Sequence, residues 1–115
     1  METAFGKRRD RVRQASPLVH CISNLVTAND CANIVLAAGA SPIMADAPEE
    51  VREITALSRA LCLSLGTPNP RKADAMFLAG RKAAELGLPV VCAPVGVGAS
   101  AYRQEIARTL LQDIP

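Results

Sequence analysis

Aromatic residues make up only 3% of this 115-residue chain, and its formal net charge is just +2. With so few stacking side chains and no basic patch among them, the chain lacks the footprint of nucleic-acid binding. No apolar run of signal-peptide or membrane-span length follows Lys7, Arg8, Arg9, Arg11 and Arg13, so a cytoplasmic protein without a membrane partner is expected. Cys21, Cys31, Cys62 and Cys92 contain no C-x-x-C pair, and three of them fall on predicted strands. That spacing favours thiols packed as small hydrophobes over a metal or disulfide role. A Walker phosphate loop and a Gly-x-Ser-x-Gly elbow are also missing, which removes several common enzyme classes.

What is there is a globular composition, half hydrophobic and 21% charged, long enough for one compact domain over residues 1–115 and too short for two. The chain is organised around Val90-Val91-Cys92-Ala93-Pro94-Val95-Gly96-Val97-Gly98-Ala99-Ser100. An apolar, β-branched run reads as a buried parallel strand, Pro94 ends its ladder, and Ser100 can cap the helix that follows. Free N–H groups at such a corner can hold an anion or a polar ligand by backbone alone.

Taken in order, a helix is expected from about Thr3 to Ala15 with Phe5, Val12 and Ala15 on one side, stopped by Pro17. A strand over Leu18–Ile22 leads through Ser23-Asn24 into an apolar helix from Ala28 to Ala38, closed by Gly39 as a left-handed cap. Ser41 to Ala45 reads as a second strand. Asp46, Pro48 and Glu49 look like a capping box opening a helix to about Ser58, with Val51, Ile54 and Leu57 as its buried stripe. Leu61–Leu65 is the third strand. Asn69 and Pro70 then start a helix whose core face is Ala73, Met76, Phe77, Gly80, Ala83 and Ala84, ended by Gly87 and Pro89. After the fourth strand, a helix from Ala101 to Gln112 presents Tyr102, Ile106 and Leu110. Four strand-to-helix alternations predict an α/β fold with a mostly parallel sheet flanked by helices. Ligands gather at the carboxyl ends of such strands, here the corners at Ser23-Asn24, Met44-Ala45-Asp46, Gly66-Thr67 and Pro94-Val95-Gly96.

Single motifs say less. Gly96-Val97-Gly98-Ala99-Ser100-Ala101 fits the dinucleotide pattern G-x-G-x-x-A, but it follows the last strand instead of the first, and the chain ends before an acidic partner could follow. His20, the only histidine, lies on an apolar strand and reads first as a packed, hydrogen-bonded ring. Met44 sits where a flexible thioether could meet an apolar ligand ring. Asp46 reads as a helix cap, and Asp30 and Glu49 as solvated helix residues.

Together the corners are more specific. Leu18-Val19-His20-Cys21-Ile22-Ser23-Asn24, Asn29-Asp30-Cys31-Ala32-Asn33, Gly39-Ala40-Ser41-Pro42-Ile43-Met44-Ala45-Asp46, Gly66-Thr67 and Pro94-Val95-Gly96-Val97-Gly98-Ala99 closely resemble hydroxyethylthiazole kinases in order and spacing, from Pro17 onward. The resemblance implies a ribokinase-like three-layer fold, of which this chain is the N-terminal half. It implies transfer of the γ-phosphoryl of ATP, with Mg²⁺, to the primary hydroxyl of 4-methyl-5-(2-hydroxyethyl)thiazole in thiamine salvage. It also implies a homotrimer with the thiazole pocket between subunits. By matching position, Met44 is expected to contact the thiazole, with Asn24, Gly66, Thr67, Pro94, Val95 and Gly96 lining or shaping the pocket.

Two departures stand out. Ala93 occupies the place of the family's Asp before the Pro-Val-Gly corner, so no metal ligand is expected there. The chain ends at Pro115, before the family's Arg-Gly-Asn segment, its ATP-binding residues and the loop bearing its catalytic cysteine, so no catalytic residue is expected within it. The expected polypeptide is inactive alone, with an apolar sheet edge exposed and a fold that is marginal or oligomeric. A non-catalytic thiazole-binding or oligomerisation remnant is the alternative reading, and a dinucleotide-binding domain the third.

Overall fold

A computed structural model describes residues 3–115. Its elements run α1 (Ala4–Ala15), β1 (Leu18–Ile22), α2 (Ala28–Ala38), β2 (Ser41–Met44), α3 (Val51–Leu57), β3 (Ala60–Ser64), α4 (Pro70–Leu86), β4 (Val90–Ala93) and α5 (Ala101–Asp113). All four strands are parallel, in the order β2-β1-β3-β4. Because the order reverses at β1, right-handed crossovers carry α2 to one face of the sheet and α3 and α4 to the other.

The caps explain most boundaries. Thr3 accepts a hydrogen bond from the Gly6 N–H at the start of α1, Asn69 from the Lys72 N–H at α4, and Ser100 from the Arg103 N–H at α5. Gly39 and Gly87 close α2 and α4 in the left-handed conformation. Ser16 closes α1 the same way, one residue before Pro17.

The core lies on the α3–α4–α5 side. Ile22, Leu61 and Leu63 from the sheet, with Leu65 just beyond β3, pack with Val51, Ala73, Ala75, Met76, Ala79, Ala83, Ile106 and Leu110 from the helices. Small residues on α4 let it lie close to the strands; Ala73, Met76, Gly80 and Ala83 of the predicted face are buried, Phe77 and Ala84 only half-buried, and Ala75 and Ala79 are buried in addition. On the opposite side, α2 packs over β2, and neither α1 nor α2 buries a residue completely.

Several expectations need correction. The segment 48–50 is a turn whose Glu50 and Val51 N–H groups both bond to the Ala47 carbonyl, so α3 begins at Val51. Asp46 caps nothing, because that turn has already satisfied the first donors, and Glu49 is held by Arg71 of α4 instead. Within α3 the buried pair is Val51 and Thr55, four residues apart on one face. Leu57, expected in that stripe, is exposed in the last turn. The β4 strand, read as buried, is an edge: it pairs only with β3, and Val91 is 66% exposed. Of the cysteines, Cys21 is buried, Cys31 and Cys62 are half-buried, and Cys92 is exposed on that same edge. An apolar groove of about 370 Å³, lined by Val90, Cys92, Leu110, Leu111 and Ile114 among others, runs between β4 and α5. The apolar edge expected from the sequence is therefore present.

Candidate functional site

The chain reversal at β1 sends the connections leaving β1 and β3 to opposite faces of the sheet, and polar side chains from the carboxyl ends of both strands meet in the crevice expected there. Asn24, 8% exposed, spans it. Its amide Nδ2 donates to Ser64 Oγ at 3.1 Å, while its Oδ1 accepts from the Val26 and Thr27 N–H groups, both at 3.0 Å. Those two bonds satisfy backbone donors just ahead of α2, whose own N-cap residue Thr27 makes no side-chain cap bond. Ser64 Oγ also accepts from the Gly66 N–H at 3.3 Å, and Thr67 Oγ1 accepts from the Leu25 N–H at 3.0 Å. Asn24, Gly66 and Thr67, named from the sequence, are thus one hydrogen-bonded unit. Gly66 is required by space: a Cβ there would lie 2.5 Å from atoms of the Asn24 side chain.

Met44 lies across β1 from this unit. It is 41% exposed and borders a small cavity of about 110 Å³ with Cys21, Ser23, Asn24, Asp46 and Lys72. Lys72 is the component the sequence did not reveal. Although it carries a charge, it is 4% exposed, and its Nζ donates to the Ser23 carbonyl at 3.0 Å. Helical periodicity alone assigns a lysine beside Pro70 to solvent. Its position one residue before the predicted core residue Ala73 was the only available signal.

At the other end of the row, Pro94, Val95 and Gly96 are exposed beyond β4. Arg103, in the first turn of α5, links them to the crevice. Its Nη1 donates to the Val95 carbonyl at 2.7 Å and its Nη2 to the Gly66 carbonyl at 3.0 Å. Gly96 has φ +69°, and a Cβ there would meet Arg103 Nη1 at 2.5 Å. Gly96 therefore makes room for a guanidinium, whereas an added Cβ at Gly98 would meet nothing within 4 Å. Pro94 turns towards the apolar β4–α5 groove. From Met44 to Val95 the row crosses three strand spacings, about 14 Å. The named residues thus form a linear edge in which Asn24, Gly66 and Thr67 touch, while Met44 and Val95 are at opposite ends.

The charge at the β4 corner is cationic. Ala93 is exposed and offers only a methyl group where a carboxylate was expected, and Arg103 is the charged side chain bonded to this corner. Among the described residues, no group of three or more His, Cys, Asp or Glu is placed to hold a metal ion. These residues do not fit a Mg²⁺ site. His20 is not at the crevice surface. It is fully buried, with Nδ1 2.9 Å from Thr55 Oγ1 and Nε2 2.8 Å from the Ala45 carbonyl. Among the described residues, no helix is long and apolar enough to cross a membrane.

These features define a doubly wound parallel α/β protein whose strand order reverses between β1 and β3. The model of the Hydroxyethylthiazole kinase family matches residues 10–114, and the chain belongs to that family. A hydroxyethylthiazole kinase of Desulfovibrio desulfuricans is 54% identical over 112 residues, covering 97% of this chain and 39% of that protein. One from Methanoculleus marisnigri is 54% identical over 103 residues, covering 90% of this chain and 37% of that protein. The structure of the hydroxyethylthiazole kinase protein from Pyrococcus horikoshii OT3 superposes with a TM-score of 0.90 at 41% identity, covering 93% of this chain and 42% of that one. The chain thus spans about two-fifths of the length of the curated relatives it matches.

Proposed function

We propose that this chain is the thiazole-binding portion of an ATP-dependent hydroxyethylthiazole kinase, acting on the primary hydroxyl of 4-methyl-5-(2-hydroxyethyl)thiazole in thiamine salvage. The observation that carries this reading is the cavity shared by Met44, Asn24 and Lys72 beside the Asn24–Gly66–Thr67 unit. A small heterocycle needs apolar surface for its ring and a few fixed polar groups for its heteroatoms. Met44 supplies the first. Asn24 retains one amide hydrogen beyond its three bonds, and Lys72 has donors beyond the one given to Ser23.

Pro94, Val95 and Gly96 lie too far from Met44 to share one ring with it inside a single copy. We place them on the same substrate through the assembly implied by the family resemblance, a homotrimer with its pocket between subunits. ATP and Mg²⁺ are assigned to the part of the relatives' length that this chain does not span, because the β4 corner carries Ala93 and Arg103.

The test is a calorimetric titration of the 115-residue chain with the thiazole alcohol. Saturable heat that weakens severalfold in Met44→Ala is expected; heat that does not saturate, or that is indifferent to Met44, overturns the assignment. A parallel ATP-dependent phosphorylation assay on the same chain is expected to give no turnover.

Ala93 favours a second reading, a thiazole-binding module without kinase activity. It predicts that adding the missing carboxylate as Ala93→Asp, in a protein that also carries the remaining length of the relatives, leaves turnover at zero, whereas a kinase limited by that position gains rate.

A further inference from the structure

The α2 face of the sheet brings two thiols together beneath the crevice. Cys21 of β1 and Cys62 of β3 are in-register partners on adjacent parallel strands, so their side chains leave the same face side by side. Neighbouring strands lie about 4.8 Å apart, inside the Cα separation of roughly 4.4–6.8 Å that a disulfide accepts. Cys21 Sγ donates to the Val19 carbonyl at 3.9 Å. The neighbouring thiol and burial push Cys21 well above the ordinary thiol range, while Cys21 draws the Cys62 thiol down. Their surroundings differ in the same sense. Cys21 is buried, whereas Cys62 is half-buried on β3, next to the exposed edge strand where its own register partner Val91 is 66% exposed. Cys62 is thus the more reachable sulfur of the two, and Cys21 the shielded one.

We propose that Cys21 and Cys62 are a redox-sensitive dithiol, a disulfide-forming modification site directly below the β1/β3 crevice that responds to hydroperoxides. The Cys62 thiolate attacks a peroxide oxygen, the O–O bond breaks, and with hydrogen peroxide the leaving hydroxide is protonated to water. The Cys21 sulfur then attacks the Cys62 sulfenic acid; the S–O bond breaks, and the hydroxide leaves as water with the Cys21 proton. Two thiols and one peroxide give one disulfide and two waters. A disulfide needs Cβ atoms about 3.8 Å apart, so β1 and β3 must close slightly, and the strained bond is readily reduced by thiols. Because Cys21 borders the Met44 cavity and Cys62 lies two residues before Ser64, closure acts on the Asn24–Ser64 bridge. The pair stands independently of the thiazole assignment.

Cys31 is the competing thiol. It lies on α2, donates to Thr27 Oγ1 at 3.8 Å, and is close enough to act electrostatically on Cys21. The test treats the 115-residue chain with a small excess of hydrogen peroxide, alkylates the remaining thiols and maps tryptic peptides by mass spectrometry. The expected result is loss of two of the four thiols, a peptide pair joined through Cys21 and Cys62, and full recovery with dithiothreitol. Cys31→Ser is expected to keep the cross-link and Cys62→Ser to abolish it. Cys21 and Cys31 share one tryptic peptide, since no Lys or Arg lies between Arg13 and Arg52, so a bridge between them appears inside that peptide. Such a bridge, an intermolecular link through Cys92, sulfinic acid at Cys62 without a bridge, or four unreacted thiols overturns the proposal. The wild-type map decides the matter even if a variant fails to fold.

Discussion

His20 Nδ1 lies 2.9 Å from Thr55 Oγ1, and that contact joins the first strand to the middle of α3 through a fully buried pair. The tautomer follows from the other nitrogen. A carbonyl can only accept, so Nε2–H donates to Ala45 and Nδ1 receives the Thr55 hydroxyl proton. Thr55→Val keeps the shape but leaves a buried lone pair unmatched, so it is expected to cost about 1–3 kcal/mol by urea denaturation. Thr55→Ser should recover most of that loss.

The same site sets a pH dependence. Burial holds the His20 ring below its ordinary value, against the opposing pull of the Ala45 carbonyl and the Glu50 charge. As pH falls, the unfolded chain takes up its histidine proton first, near pH 6.5. Stability from the neutral ring is therefore complete above that pH. It declines below it by up to about 1.4 kcal/mol per pH unit, until the native ring itself protonates. Denaturation midpoints between pH 7.5 and 5 should show this slope, and the His20→Gln variant should lose it. An equal slope in the variant would assign it to other groups.

Gly66 and Gly87 separate two reasons for a glycine. At Gly87, φ is +66° and nothing lies within 4 Å of an added Cβ, so Gly87→Ala carries only backbone strain of about 1–2 kcal/mol. Gly66 has no such φ, yet its Cβ would strike Asn24, which is held by three hydrogen bonds and cannot swing away. Gly66→Ala is expected to cost at least as much, in the overpacking range of about 1–3 kcal/mol. It should also expose the Val26 and Thr27 amides to hydrogen exchange, which Gly87→Ala should leave protected.

Where periodicity and caps carry the information, the sequence was legible. Asn69 with Pro70, Ser100 and Gly39 each act through bonds to nearby backbone, so the ends they mark were found within a residue or two. The start of α3 was misread because a distant partner, Arg71, takes the Glu49 carboxylate, and that contact spans 22 residues of sequence. Leu57 was misplaced for a related reason: the polar Thr55 is buried because His20 waits for it across the layer. At the site, Asn24, Gly66 and Thr67 were found as strand ends. Lys72 and Arg103 were missed because a charge on a helix reads as solvated until the carbonyls that receive it are known.

Arg103 ties the β3 and β4 corners together through the Gly66 and Val95 carbonyls. Arg103→Met preserves much of the stem and removes both bonds, and a loss of about 1.5–3 kcal/mol is expected, the range for hydrogen bonds to a charged donor. Arg103→Lys keeps the charge but cannot reproduce a planar fork reaching two carbonyls, so its loss should be intermediate. Equal stability of all three proteins would reduce the clamp to a surface contact. Faster exchange of the Val97 and Ala99 amides in Arg103→Met would place the damage at the β4 corner.

Lys72 gives the opposite expectation. Lys72 as a residue is only 4% exposed, and among the ion pairs of the described residues it has no carboxylate within 4.0 Å. One carbonyl, that of Ser23, is a weak return for desolvating a cation. Lys72→Met fills similar space without the charge, so the denaturation free energy should stay level or rise, by about 1 kcal/mol, within the gains seen when buried charges are replaced by apolar side chains. A fall of more than about 1 kcal/mol would mean that the tether to Ser23 is what holds the 23–27 turn against α4. If stability holds while the thiazole titration weakens, the lysine serves the cavity it shares with Met44 and Asn24, and the fold keeps a charge in its interior for the ligand alone.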